Sequence, residues 1–226
     1  MGYYTDLASI NLDDYQSKLE SADLLSSRMI LKDRLSERLG YLKSIGIKNV
    51  LELQKLLKKK EKLAELSKVE CLSEDYLVIL LREINSIQPK PNKISEFIGI
   101  SPETVSKLEK IGIKDTVKLF DHVLTPESRK KLAAETTVSE AEILELAQLT
   151  DLSRIKWVGV TFARMLFYVG IDTAEKASKA DYVELHQKIM EINKEKNFYK
   201  GQIGLHDMKL FVEAANEVSF DIDYHC

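Results

Sequence analysis

An internal repeat constrains the fold of this chain more than any other feature. The segment at residues 42–53 recurs at residues 108–119, and each copy carries an Ile-Gly-Ile run inside a helical pattern. A Val-Gly-Ile run at residues 169–171 marks a third, more diverged copy. Such self-similarity is the signature of a repeat architecture. Because stacked helical repeats usually offer extended binding surfaces, the pattern favours a binding protein over an enzyme.

The spacing of three glycines defines the copies. Gly46 and Gly112 lie 66 residues apart in a register without gaps, and Gly170 follows Gly112 by 58 residues. The run at residues 157–160 resembles the run at residues 97–100 at an offset of 60. A loss of two residues is therefore expected in the helix that follows in the third copy. The predicted parts are an acidic segment at residues 1–27 packed on the first copy, and copies at 28–92, 93–156 and 157–226, the last with a C-terminal tail.

Composition predicts an all-α protein. Hydrophobic residues make up 44% of the 226 residues, enough for a packed core, and only nine glycines and four prolines interrupt the chain. No run approaches the roughly 20 apolar residues of a membrane span, so no membrane contact is expected. The N-terminus lacks the pattern of a signal peptide, and two cysteines are too few for a disulfide framework. A cytoplasmic location is therefore expected.

Local signals predict where the repeated helices end and begin. A glycine just past a helix can adopt the left-handed conformation that closes the helix, which predicts helix exits at the three repeat glycines. The next helices are then expected to start at side chains that commonly act as N-caps. These N-cap residues are Asn49, Asp115 and Thr173.

The formal charge of −3 is unevenly distributed. Residues 1–27 carry −4 and residues 28–92 carry +5, whereas residues 93–156 and 157–226 carry −1 and −3. Clustered lysine and arginine can attract phosphates, although a charge run is often only a solvated helix face. The first copy therefore holds the basic candidates for nucleic-acid contact. These are Arg34, Arg38, Lys55, Lys58, Lys59, Lys60 and Lys62.

Two segments resemble helix-hairpin-helix motifs, namely residues 97–113 and 154–173. Nearly the whole chain resembles an uncharacterised bacterial family of unknown function, built from tandem helix-hairpin-helix-like, SAM-domain-like repeats. The likeness is strongest at residues 125–134 and 149–155. The resemblance implies an all-α fold of small helical units arranged in tandem.

In helix-hairpin-helix proteins the hairpin presents backbone N–H groups to a DNA phosphate, a contact independent of base sequence. The resemblance therefore implies two sets of hairpin residues: Gly99, Ile100 and Ser101, and Gly159, Val160 and Thr161. The second turn glycine of the motif is replaced by Ser101 and Thr161, and the first copy has no turn glycine. Weak DNA binding is therefore the expectation.

The sequence leaves two functions open. The chain could bind nucleic-acid backbone without sequence preference, or it could be a protein-interaction scaffold or homo-oligomer with a degenerate DNA-binding fold. The four histidines share no spacing with each other or with either cysteine, and no phosphate-binding glycine loop or nucleophile motif occurs. We therefore expect no metal, no cofactor and no catalytic residue.

Aromatic residues give two further expectations. Phe97 and Trp157 stand at matching places before a hairpin glycine, which predicts a shared role in the core. Tyr3, Tyr4 and Tyr15 are expected to dock the N-terminal segment on the first copy.

Overall fold

The computed structural model describes residues 2–225. Within them, thirteen α-helices and two 3₁₀ helices account for the regular structure apart from two isolated β-bridges. The all-α class predicted from composition is confirmed for these residues. Within the same part of the chain, no helix is both long and apolar enough to span a membrane.

The chain divides into two compact units. The small unit is Thr5–Gln88, and the large unit combines Met1–Tyr4 with Pro89–Cys226. The small unit contains α1 (Leu12–Ser21), a 3₁₀ helix (Ser26–Leu31), α2 (Leu35–Ser44), α3 (Val50–Leu57), α4 (Lys60–Leu66) and α5 (Glu74–Ile87). The large unit contains a 3₁₀ helix (Ile94–Glu96), α6 (Pro102–Lys110), α7 (Thr116–Phe120), α8 (Pro126–Thr136), α9 (Glu140–Leu152), α10 (Val160–Tyr168), α11 (Ala174–Ser178), α12 (Tyr182–Lys196) and α13 (Leu205–Ala215).

The three repeat glycines close their helices as predicted. Gly46, Gly112 and Gly170 have φ values of 96°, 85° and 84°, in the left-handed region that glycine adopts at low cost. After each glycine, an isoleucine amide donates to the carbonyl of a leucine five residues earlier, which is the Schellman pattern. The pairs are Ile47 to Leu42 (3.3 Å), Ile113 to Leu108 (3.0 Å) and Ile171 to Leu166 (2.9 Å).

The predicted N-caps are confirmed as well. Each cap side chain accepts a hydrogen bond from the backbone amide three residues on, satisfying a donor that the helix cannot. The pairs are Asn49 with Glu52 (2.9 Å), Asp115 with Lys118 (2.9 Å) and Thr173 with Lys176 (3.1 Å). The cap φ values are −144°, −144° and −136°, so the three segments share one local backbone geometry.

The first amide of each following helix has a distant acceptor. In the first two copies the acceptor is a backbone carbonyl: Val50 donates to Ile10 and Thr116 to Asn92, each at 3.0 Å. In the third copy Ala174 donates instead to the Asp151 carboxylate at 2.8 Å. The third copy therefore replaces a backbone bridge with a buried, ionisable side chain.

That replacement requires a counter-ion for Asp151, which is 3% exposed. Burial raises the pKa of the Asp151 carboxyl, while the Ala174 amide and the Arg154 guanidinium oppose this shift. Arg154 Nη1 lies 3.0 Å from Asp151, and Nη2 lies 2.8 Å from the Ser219 hydroxyl and 3.2 Å from Asp221. The pair thereby connects the end of α9 to the C-terminal segment.

Tyr3 belongs to the large unit and does not dock on the first copy as expected. Its hydroxyl lies 2.7 Å from that of Thr116, and its ring packs edge-on against Phe120. Its backbone carbonyl accepts from Arg154 at 3.3 Å. Tyr15, by contrast, is buried in the core of the small unit. The N-terminal residues are thus divided between two cores.

Candidate nucleic-acid interface

A tight turn precedes helix α6 in the second copy. The Ile100 amide donates to the Phe97 carbonyl at 3.4 Å, and Gly99 has a φ of 92°. A positive φ at the third position of such a turn defines type II, which favours glycine there. Ser101 then serves as the N-cap of α6.

The same turn precedes helix α10 in the third copy, with Trp157 in the glycine position. The Val158 amide donates to the Ile155 carbonyl at 3.1 Å, and Trp157 has a φ of 70°. Gly159, at φ −90°, is the N-cap of α10. A large L-residue held in this region costs about 1–2 kcal/mol. The turn in the third copy therefore has the same positive φ as the turn in the second copy, but it lacks the glycine that favours this conformation.

This geometry corrects the expected pairing of Gly99 with Gly159. Helices α6 and α10 both have nine residues, so the expected loss of two residues is wrong. Trp157 is the structural counterpart of Gly99, and Gly159 is the counterpart of Ser101. The expected core role of Trp157 is also wrong, since the indole is 45% exposed. Ile155 takes the buried place that Phe97 occupies in the second copy.

A hydroxyl caps the start of α6, and a carboxylate lies beside it. The Ser101 hydroxyl accepts from the Thr104 amide at 3.0 Å, and the Thr104 hydroxyl donates to Glu142 at 2.8 Å. The hydroxyls of Ser139 and Thr104 hold the pKa of Glu142 below its ordinary value, which keeps this carboxylate charged. Negative charge is stabilised near a helix N-terminus, but here the protein supplies it internally.

A buried arginine lies directly behind the Gly99 turn. Arg164 of α10 is 2% exposed, and its Nη1 pairs with Glu145 Oε1 at 2.7 Å. A Cβ atom added at Gly99 would lie 3.3 Å from Arg164 Nη2. Gly99 is therefore favoured by its φ and also by the close approach of this side chain. The second hairpin is a packed, internally neutralised turn.

The start of α10 differs in its chemistry. Gly159 provides no side-chain cap, and the first turn of α10 contains no acidic residue. The first amides of a helix have no intrahelical acceptor, so this start, which includes Val160 and Thr161, can donate to an anion. Lys156 lies immediately before it, with Nζ 4.3 Å from the centre of the Trp157 ring.

The two arginine candidates in the small unit already have partners within it. Arg38 is 6% exposed, donates to the carbonyls of Cys71 (2.8 Å) and Ile30 (3.0 Å), and lies over the Tyr76 ring. The prediction that Arg38 contacts nucleic acid is therefore corrected, because a buried guanidinium cannot reach a phosphate. Arg34 is exposed but bonds Glu37 through Nε and Nη2, each at 2.6 Å.

The lysine candidates remain at the surface. They lie on the last turn of α3, in the connection to α4 and on α4 itself, and all are exposed: Lys55, Lys58, Lys59, Lys60 and Lys62. Lys62 pairs with Glu65 at 2.7 Å. This lysine cluster belongs to the small unit, whereas both hairpins belong to the large unit.

Sequence reasoning missed Lys156, Trp157 and Arg164 as residues of the hairpin region. One signal could have revealed the first two. Extending the spacing of 58 residues between the exit glycines back through the helix would have placed Trp157 opposite Gly99. Arg164 offered no comparable signal, because its burial depends on packing between the two hairpins.

The fold and the site define an all-helical protein whose large unit carries two turn-and-helix hairpins of different chemistry. The chain belongs to the family described as domain of unknown function DUF4332, whose match covers residues 98–218, more than half of the chain. The expectation of a family without known function is confirmed. A search of curated proteins and a search of solved structures each found no match. Among the described residues, no group of three or more His, Cys, Asp or Glu side chains is placed to hold a metal ion.

Proposed function

We propose that this protein is a non-enzymatic binding protein that contacts nucleic-acid backbone, without sequence preference, through the hairpin before α10. The observation that carries the proposal is the start of α10 at Gly159, which has neither a side-chain cap nor a first-turn acid. An anion at this position would accept from the amides of Gly159, Val160 and Thr161. It would also lie at the positive end of the helix dipole.

The arrangement fits the helix-hairpin-helix interpretation of the third copy. Helix α9 leads into the Ile155–Val158 turn, and helix α10 leaves it, so the turn lies between two helices. In the second copy the helix before the turn is reduced to the 3₁₀ helix Ile94–Glu96. The second hairpin is also occupied by Glu142. We therefore assign phosphate contact to the third hairpin alone.

Few contacts imply weak binding with a shallow salt dependence. Both the affinity of non-specific binding and its dependence on salt increase with the number of phosphates neutralised, and this hairpin has one nearby cation, Lys156. The exposed lysine cluster of the small unit would add a second, independent contact. Binding should therefore be measurable only at low salt, with a smaller salt slope for the large-unit site alone than for the full chain.

The test uses Gly159→Asp with Gly159→Asn as its matched control. Gly159 has an extended backbone, and nothing lies within 4 Å of an added Cβ, so both side chains fit. Both are good N-caps and should preserve or slightly raise stability. Fluorescence anisotropy with a labelled duplex at low salt should show loss of binding for the aspartate variant, which places a negative charge at the phosphate position. The asparagine variant should weaken binding less. Equal binding by all three proteins would contradict the proposal.

The lysine cluster is tested separately. Replacing Lys58 and Lys59 with glutamine removes two exposed charges that make no described ion pair. The expected result is a lower salt slope with the Gly159→Asp effect unchanged, because the two sites lie in different units. If the Gly159→Asp effect vanishes in the lysine variant, the two sites do not act independently.

A protein-interaction scaffold is the alternative, and one surface of the large unit favours it. The Tyr168 ring is 47% exposed and stacks in parallel on Phe198 with ring centres 5.8 Å apart, and Tyr199 beside it is 49% exposed. Exposed aromatic groups are typical of protein interfaces. Sedimentation velocity should then show self-association that Tyr168→Ser reduces. A protein that is monomeric at every concentration tested, and recovers no partner, would count against this alternative.

A further inference from the structure

Trp157 is an aromatic residue that the fold leaves nearly half exposed. It is the only tryptophan of the chain, and 45% of it is exposed at the tip of the turn before α10. The structurally equivalent position in the second copy is Gly99, which suits the positive φ that both residues adopt. The local backbone therefore does not favour tryptophan at this position, and a large part of the ring is open to a ligand.

The indole ring is held next to a positive charge. Lys156 Nζ lies 4.3 Å from the centre of the ring, a cation–π arrangement that orients both groups. The ammonium covers one face of the ring, so a stacked base would lie on the opposite face, next to this charge. An aromatic face beside a cation is the combination with which proteins hold unpaired nucleotides, because the ring stacks on the base while the cation meets its phosphate.

We propose that Trp157 stacks on an unpaired base, which makes single-stranded nucleic acid the preferred ligand of the hairpin before α10. This inference rests on the proposed function for the contact with the phosphate, and it adds the class of nucleic acid. In a duplex the base faces are covered by their neighbours, so only the backbone contact is available. The stacking contact is independent of base identity, since every base has a π face.

The single tryptophan serves as a direct reporter of this site. Titration of the full chain at low salt with a short oligothymidylate should change the intrinsic tryptophan emission, whereas a duplex of the same length should bind more weakly and change it less. Labelled versions of both ligands give the affinities by anisotropy. The expected preference for the single strand is about tenfold, the effect of one stacked base.

Trp157→Gly is the decisive variant, because it removes the ring and places a glycine where the backbone has a positive φ. Circular dichroism confirms that the variant is folded before binding is measured. The variant should lose about tenfold in affinity for the single strand and keep its affinity for the duplex. Tyr182→Ser is the matched control, since it removes another exposed aromatic ring of the large unit, at the start of α12, and should leave both affinities unchanged.

Each other outcome overturns the inference in a distinguishable way. If wild type and Trp157→Gly bind the single strand equally, stacking is refuted, while loss of duplex binding in Gly159→Asp would still support the backbone contact. If no nucleic acid binds, the proposed function fails together with the inference. If the tryptophan emission changes when the protein alone is concentrated, Trp157 lies in a contact between copies, and the ligand assignment is wrong.

Discussion

Arg154 Nε lies 3.3 Å from the backbone carbonyl of Tyr3, although 151 residues separate the two in the sequence. The contact originates in the Asp151 carboxylate, which replaces a backbone carbonyl at the start of α11 and requires a positive partner. Once Arg154 is buried to pair with Asp151, its remaining donors need acceptors. The N-terminal and C-terminal segments supply them. The Arg154 guanidinium therefore contacts both the N-terminal and the C-terminal segment of the described residues.

The first prediction concerns Tyr3. Tyr3→Phe removes the 2.7 Å contact with Thr116 and should lower the free energy of unfolding by about 1 kcal/mol. Tyr3→Ala also removes the ring packed against Phe120 and should cost about 3 kcal/mol. Urea denaturation followed by circular dichroism measures both. Tyr4→Ala is the control, and a change for Tyr4, which is 38% exposed, as large as that for Tyr3 would contradict the placement.

The second prediction separates backbone strain from close packing at the turn glycines. Gly99 and Gly112 have φ values of 92° and 85°, so alanine at either position should cost about 1–2 kcal/mol. Only at Gly99 does an added Cβ meet Arg164, at 3.3 Å, whereas nothing lies within 4 Å at Gly112. Gly99→Ala should therefore lower the thermal midpoint more than Gly112→Ala. Equal midpoints would mean that Arg164 does not press on the turn.

The third prediction concerns the strain at Trp157, independently of any ligand. Trp157→Gly and Trp157→Ala both remove the indole and its contact with Lys156, but only glycine adopts a φ of 70° at low energetic cost. The glycine variant should be more stable than the alanine variant by about 1 kcal/mol. Thermal unfolding of the two proteins under one buffer condition tests this. An alanine variant as stable as the glycine variant would contradict the positive φ of residue 157.

The fourth prediction concerns pH and Glu142. The Ser139 and Thr104 hydroxyls lower the pKa of this carboxyl, so the folded state favours its charged form. Its contribution to stability is present above the ordinary pKa of glutamate and is lost as pH falls through the lowered value. Wild type should therefore exceed Glu142→Gln in stability at neutral pH, with the difference disappearing in acid. Thermal melts across this range measure it, with the exposed Glu191→Gln on α12 as the control. A difference that persists in acid would contradict the sign.

Local features of the fold could be predicted because they depend on residues close in sequence. The exits at Gly46, Gly112 and Gly170 and the caps Asn49, Asp115 and Thr173 need only a glycine or a short polar side chain at one position. Residue similarity alone did not reveal that Gly99 and Trp157 are equivalent. The Val-Gly-Val run at residues 158–160 resembles the Ile-Gly-Ile run at residues 98–100, so an alignment by similarity pairs Gly159 with Gly99. Backbone conformation, not residue type, is shared at this turn.

Buried charges account for the error at Arg38 and for the failure to identify Arg164. Arg38, Arg154 and Arg164 would each be assigned to the surface from residue type, since arginine is rarely fully buried without partners. Their partners are carbonyls and carboxylates contributed by other elements, such as Cys71 for Arg38 and Glu145 for Arg164. These groups come together only in the packed structure. The sequence alone therefore does not distinguish a buried, structural arginine from an exposed one that could bind a ligand.

The position of Tyr3 also sets an order of assembly. Its hydrogen-bond and ring partners, Thr116 and Phe120, are synthesised more than a hundred residues later, and Arg154 later still. The small unit, whose buried core residues all lie between Leu7 and Ile84, can be complete before any of them emerges from the ribosome. Tyr3 is therefore made first among these residues, but it cannot complete its contacts until Arg154 has been synthesised.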